Sequence, residues 1–106
     1  MQDFSPQINA LRTRLTETAG YLRVEELRAR RPQLETELGR PDLWDDAEAA
    51  QALQREFAEL SDDLELYDSL EARVSDVATL HELAREEGDE SLEGEIEREL
   101  GGLEKE

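Results

Sequence analysis

Apolar residues recur along this chain at intervals of three and four. Ile8, Leu11, Leu15, Ala19 and Leu22 form one series. Leu53, Phe57, Leu60, Leu64, Tyr67, Leu70, Val74 and Val77 form a second, and Leu92, Ile96, Leu100 and Leu103 a third. Such spacing keeps one apolar stripe on one side of a helix with about 3.6 residues per turn. A further segment from about Val24 to Leu38 places Leu27, Leu34 and Leu38 on one face. No stretch shows the polar-apolar alternation of a half-buried strand, so no sheet is expected.

The punctuation between these stripes predicts where each helix stops. Ser5-Pro6 reads as a cap followed by the first helical residue, because proline has no N–H to leave orphaned there. Gly20 weakens the first helix and marks a possible end. Pro32 sits inside the second segment, where it removes a backbone bond and crowds the carbonyl of Arg28, so a kink or restart is expected. Gly39-Arg40-Pro41 is a stop signal, with glycine in the position after the helix and proline soon beyond it. Asp45 followed by Glu48 resembles a capping box that opens a long helix, from about Asp46 to Val74 and on to about Glu87. Ser75-Asp76 marks an expected break in it. Gly88-Asp89 closes this element and caps the last helix, from about Glu90 to Lys105.

The expected fold is all-α: an elongated antiparallel helical bundle of four to five helices over residues 1–106, read as a single helical domain. Short links make neighbouring helices antiparallel. The stripe at Leu100 and Leu103 is still running where the sequence stops, so a fragment of a longer protein is expected.

Charge changes the picture. The 106 residues carry 12 Lys+Arg against 29 Asp+Glu, a net charge of −17. Residues 1–40 hold seven arginines and six acidic residues, whereas residues 41–106 hold five basic groups and 23 acidic ones, a net of −18. So acidic a chain repels phosphates and is a poor generic nucleic-acid binder. The arginines of the first part (Arg23, Arg28, Arg30 and Arg31 above all) either answer carboxylates within the chain or face an outside anionic partner.

The chemical inventory excludes most catalysis. With no Cys there is no disulfide, thiolate nucleophile or Cys-based zinc site. His81 is the sole imidazole and reads as a residue at the edge of the core. The residue three before it is Ala78, so the Glu-x-x-His pattern of dinuclear carboxylate bundles is missing. Asp89 to Ile96 matches part of a calcium loop, but its twelfth position is Leu100 where a bidentate Glu is needed; Asp89 as a helix cap explains the same residues. No apolar run reaches the roughly 20 residues of a membrane span, and Met1–Ser5 lacks the pattern of a secretory signal. A cytoplasmic protein without catalytic, cofactor or metal site is the expectation. Trp44, between Pro41 and a capping Asp, is expected to pack over the corner between two helices.

Several residues together resemble a known family. Gly20-Tyr21-Leu22, a charged helix ending Leu34-Glu35-x-Glu37-Leu38, and Pro41-Asp42-Leu43-Trp44 are similar to the N-terminal helical domain of the bacterial peptide chain release factor 2 family. Glu65-Leu66 through Val77, Leu80-x-Glu82-Leu83-Ala84 and Glu86-Glu87-Gly88-Asp89-Glu90 fit the same domain. The Gly-Tyr-Leu and Pro-Asp-x-Trp pairing carries the specificity, and the sister release factor 1 family lacks it. The resemblance implies translation termination at UGA or UAA codons by a factor that reads the codon with Ser-Pro-Phe and promotes peptidyl-tRNA hydrolysis with Gly-Gly-Gln. Neither motif is present: Gly101-Gly102 is followed by Leu103, and proline occurs only at 6, 32 and 41. What remains by resemblance is a domain that docks at the base of the ribosomal stalk, with stalk protein and nearby ribosomal RNA as partners. Charge favours the acidic helices meeting a basic protein surface over the arginines meeting RNA. The resemblance gives no partner-facing residues. The alternative reading is an acidic helical adaptor, or a coiled-coil protein that self-associates through its stripes.

Overall fold

A computed structural model describes residues 2–106. Four α-helices follow one another: α1 (Ser5–Leu22), α2 (Val24–Leu38), α3 (Ala47–Glu87) and α4 (Glu93–Glu104). Short 3₁₀ turns, Pro41–Asp45 and Glu90–Leu92, precede α3 and α4. No strand occurs among the described residues. The all-α expectation therefore holds, with four helices. Their contacts fall into two compact units. One takes the described residues up to Thr18 together with Asp68–Glu106; the other is Ala19–Tyr67.

The first unit is a three-helix assembly. Phe4, Ile8 and Leu11 of the N-terminal segment meet Val74, Val77 and Ala84 of α3 and Ile96, Leu100 and Leu103 of α4. Phe4, Ala84 and Ile96 are at most 1% exposed. Phe4 packs edge-on against His81, while Leu11 and Leu15 lie with Leu70 and Val74, so α1 and this part of α3 run antiparallel. At one end the Gln2 N–H donates to Glu93 Oε1 over 2.7 Å. At the other, Arg14 Nη1 donates to the Glu104 carbonyl over 3.3 Å. Arg73 Nη1 reaches Glu106 Oε2 at 2.6 Å, which ties α3 to the end of α4.

The start of α1 differs from the Ser5 cap expected. Ser5 is already helical, and its N–H donates to Asp3 Oδ1 over 3.0 Å. The anion at the helix start is thus Asp3, whose carboxyl is held below its usual range by the hydrogen bonds from Ser5, with Arg85 nearby adding to the effect.

The second unit is built on an α2–α3 hairpin. Val24, Leu34, Ala50, Leu60, Leu64 and Tyr67 are its buried apolar residues. Arg30 reaches Glu56 at 3.1 Å and the Arg31 guanidinium lies 5.8 Å from the Phe57 ring centroid, which joins α2 to α3. Gly20 does not end α1. The chain turns at Arg23, in the left-handed region at φ 58°, ψ 50°. Half-buried Leu22 and buried Val24 on either side hold it there, against a cost of about 1–2 kcal/mol for a residue with a Cβ.

Pro32 neither ends nor restarts α2, which runs unbroken through it. Proline deletes only the one ladder bond its own N–H would have made. Leu34 is fully buried two residues later, and Arg30 pairs with Glu37 across the proline at 3.5 Å. Gly39 does stop the helix, but with φ −82° rather than in the left-handed region; its N–H bonds back to the Glu35 and Thr36 carbonyls.

The cap of α3 also lies one residue beyond the sequence expectation. Asp46 Oδ1 accepts from the Ala49 N–H over 3.2 Å, in place of an Asp45–Glu48 box. From Ala47 the helix is unbroken for 41 residues, with no interruption at Ser75-Asp76. Both of those side chains face solvent, so neither competes for the backbone, while Val74 and Val77 beside them are buried in the first unit's core. The end of α3 follows its punctuation. Gly88 adopts φ +63°, the Asp89 N–H bonds to the Ala84 carbonyl and the Gly88 N–H to that of Arg85.

Candidate interaction surface

Each residue singled out in the sequence now has a place. His81 is 5% exposed, and its Nε2 accepts the Phe4 backbone N–H over 3.1 Å. An acceptor Nε2 carries no proton, so in this geometry the ring is neutral with its hydrogen on Nδ1. Asp3 Oδ1 lies 3.7 Å from the same nitrogen and 3.6 Å from Arg85 Nη1. His81 therefore satisfies the entry of the chain into α1, a structural role at the edge of the core. Asp89 is likewise engaged: it accepts from the Ser91 N–H over 2.9 Å and from the Ser91 hydroxyl. Those bonds hold its carboxyl below the usual range. The carboxylate that a calcium loop would need in first position is a helix cap.

Three of the four arginines pair with carboxylates inside the second unit. Arg30 contacts both oxygens of Glu56, with Nη2 to Oε2 at 3.1 Å and Nε to Oε1 at 3.3 Å. Its Nη1 also donates to Gln33 Oε1. The Glu56 bonds, with the Glu37 carboxylate adding, raise the affinity of this guanidinium for its proton. Arg31 pairs with Glu35 at 3.5 Å besides its stacking on Phe57, and Arg23 pairs with Glu26 at 3.6 Å. Arg28 is partnered as well. Intrachain neutralisation is the job these side chains visibly do. Because Arg30 is the least exposed of those pairs, it also counts most for α2–α3 register.

The two motifs that carry the family resemblance sit at helix junctions. Gly20-Tyr21-Leu22 precedes the left-handed Arg23, and Tyr21 is 88% exposed. Pro41-Asp42-Leu43-Trp44 forms the 3₁₀ turn between α2 and α3. Trp44 is 55% exposed, more open than a residue expected to pack over that corner. Leu43 turns inward instead and is half-buried, because one turn of so tight a helix can bury only one of two successive side chains. Nothing in the spacing of apolar residues distinguishes Leu43 from Trp44, so the sequence pattern could not decide which is presented.

Residues 27–106 match the PCRF domain, a domain family. The chain belongs to that family. The match covers α2 from its second turn, the 3₁₀ corner, α3 and α4. Over nearly its whole length the chain is also similar to proteins named peptide chain release factor 2. It is 41% identical over 104 residues to that of Aliivibrio fischeri, covering 98% of this chain and 27% of the relative. The Pseudarthrobacter chlorophenolicus protein is 36% identical over 103 residues, 97% of this chain and 28% of the relative. That of Chloroflexus aggregans is 30% identical over 106 residues, 100% of this chain and 29% of the relative. The chain thus spans somewhat over a quarter of the length of the curated relatives it matches. The PCRF match begins after Tyr21, while the similarity to the release factors takes in both junction motifs.

Among the described residues no group of His, Asp and Glu is arranged to hold a metal ion. No helix among the described residues is long and apolar enough to cross a membrane.

Proposed function

We propose that this chain is the N-terminal helical part of a class-I peptide chain release factor of the UGA/UAA type, and that it serves translation termination in the cytoplasm as a docking domain towards the base of the ribosomal stalk. The observation that carries the proposal is the 41% identity to a release factor 2 along 98% of the chain. The PCRF match over residues 27–106 supports it independently. An acidic self-associating adaptor finds no support in these similarities. Because Ser-Pro-Phe and Gly-Gly-Gln are absent from residues 1–106, the chain itself reads no codon and hydrolyses no ester; its contribution is binding and placement. The pairing of Arg23, Arg30 and Arg31 with Glu26, Glu35, Glu37 and Glu56 leaves the anionic helices as the main charged surface on offer, and long-range attraction then favours a basic ribosomal protein over rRNA.

Sedimentation tests the docking. The chain is expected to pellet with ribosomes, and to do so less well with ribosomes stripped of their stalk-base protein. It is expected to give only background hydrolysis of peptidyl-tRNA on stop-programmed ribosomes. Failure to pellet with intact ribosomes, or release above background by the chain alone, would overturn the proposal.

A further inference from the structure

The corner between α2 and α3 combines three properties not found together elsewhere among the described residues. It is rigid. Pro41 fixes its own φ, the Leu43 N–H bonds to the Arg40 carbonyl over 3.3 Å, and the Asp46 N–H bonds to the Leu43 carbonyl over 3.1 Å. Asp46 then locks the exit through the Ala49 N–H. It presents Trp44, the sole tryptophan, with more than half its surface open. And it is anionic without compensation: Asp42, Asp45 and Glu48 are exposed and make no ion pair among the described residues. In a helix of three residues per turn, Asp42 and Asp45 stand one above the other, on the face next to that of Trp44.

We infer that this corner is a docking surface for a basic protein segment, with the Trp44 ring receiving an arginine or lysine side chain and Asp42, Asp45 and Glu48 meeting its charge. A cation over the indole face is attracted by the negative π-cloud, best of all at tryptophan. Flanking carboxylates reinforce that attraction and repel a phosphate backbone, which excludes RNA as the occupant. A pinned backbone leaves little entropy to be lost when the side chain is gripped. The chain supplies its own precedent for the pairing in Arg31 over Phe57. The inference rests on the corner's own chemistry and stands whether or not the ribosome is the partner.

The probe is a fluorescently labelled hexa-arginine peptide, followed by anisotropy in buffer of physiological ionic strength. Trp44→Ala is expected to weaken binding about fivefold or more. Trp44→Leu, which keeps apolar bulk but loses the π face, is expected to weaken it similarly. Asp42→Asn with Asp45→Asn is also expected to weaken it, whereas Asp62→Asn with Asp63→Asn, the same charge change on the exposed side of α3, should have much the smaller effect. Circular dichroism confirms that each variant is folded; should Trp44→Ala lose helix, Trp44→Leu decides. Equal binding by wild type and Trp44→Leu would overturn the inference. So would equal losses from the two aspartate pairs, which would mean unspecific attraction to a polyanion. A decauridylate that binds more tightly than the peptide, quenching Trp44 emission, would overturn the choice of partner.

Discussion

Phe4 is the fourth residue of the chain, where fraying is the ordinary expectation, yet it is 1% exposed. Its ring meets His81 edge-on at 5.6 Å between centroids, its N–H is held by His81 Nε2, and its carbonyl accepts the first turn's bond from Ile8. Phe4→Ala should therefore behave as a core truncation. Removing a buried phenyl group costs about 3–5 kcal/mol, transfer and residual cavity together. The edge-on contact falls within that figure, since it would contribute only about 0.5–1.5 kcal/mol. At this chain length each kcal/mol shifts the melting temperature by roughly 4–6 °C, so a fall of about 12–30 °C is expected. Thermal and urea unfolding followed by circular dichroism at the helix band measure both quantities. Phe4→Leu, which keeps most of the apolar volume, should cost less than about 1.5 kcal/mol. A Phe4→Ala chain within about 1 kcal/mol of wild type would show that the N-terminal segment is not anchored on α3 and α4, and the reasoning would fail.

Two glycines in one chain should respond in opposite directions. Gly101→Ala, in the interior of α4 with open space around the added methyl, should stabilise by about 0.5–1 kcal/mol, while Gly88→Ala, at φ +63°, should destabilise by about 1 kcal/mol; urea unfolding reads both, and equal signs would refute the backbone argument. The carboxyls of Asp3 and Asp89 are held below the ordinary value of 3.8 by their hydrogen bonds from Ser5 and Ser91. A depressed folded-state value adds stability that is present above 3.8 and lost as pH falls through the lower value, so acid unfolding should be less steep in the Asp3→Asn, Asp89→Asn double variant, where asparagine still caps but does not titrate; an unchanged acid limb would contradict this. With a net charge of −17, moderate NaCl should raise the melting temperature by screening carboxylate repulsion, and a fall would show that the arginine pairs outweigh it.

The stripes at three- and four-residue spacing were enough to place all four helices, because burial of an amphipathic face dominates helix formation in a chain of this kind. What they could not show is governed by a few local competitions. Ser75-Asp76 has the composition of a helix break, but Val74 and Val77 are committed to a core and carry the helix across. Pro32 has the look of a kink, but Leu34 and the Arg30–Glu37 pair lie on either side of it. Gly20 offered the conformational freedom for a turn, and the chain turned at Arg23, where the apolar residues before and after had to point inward. The interaction surface was less legible. Arg23, Arg28, Arg30 and Arg31 read equally as an anion-binding patch or as partners for the chain's own carboxylates, since composition carries no register; only the α2–α3 pairing brings Glu56 to Arg30. The exposure of Trp44 depended on which of two adjacent residues the 3₁₀ turn buries.

The most direct test of the release-factor reading is a chimera. In the Aliivibrio fischeri relative, the segment that aligns with this chain is replaced by residues 1–106, and peptide release is measured on ribosomes programmed with UGA and with UAA. The account predicts release at both codons close to that of the parent factor and well above that of a factor lacking the segment. A folded, soluble chimera that releases no better than the factor without the segment would contradict it.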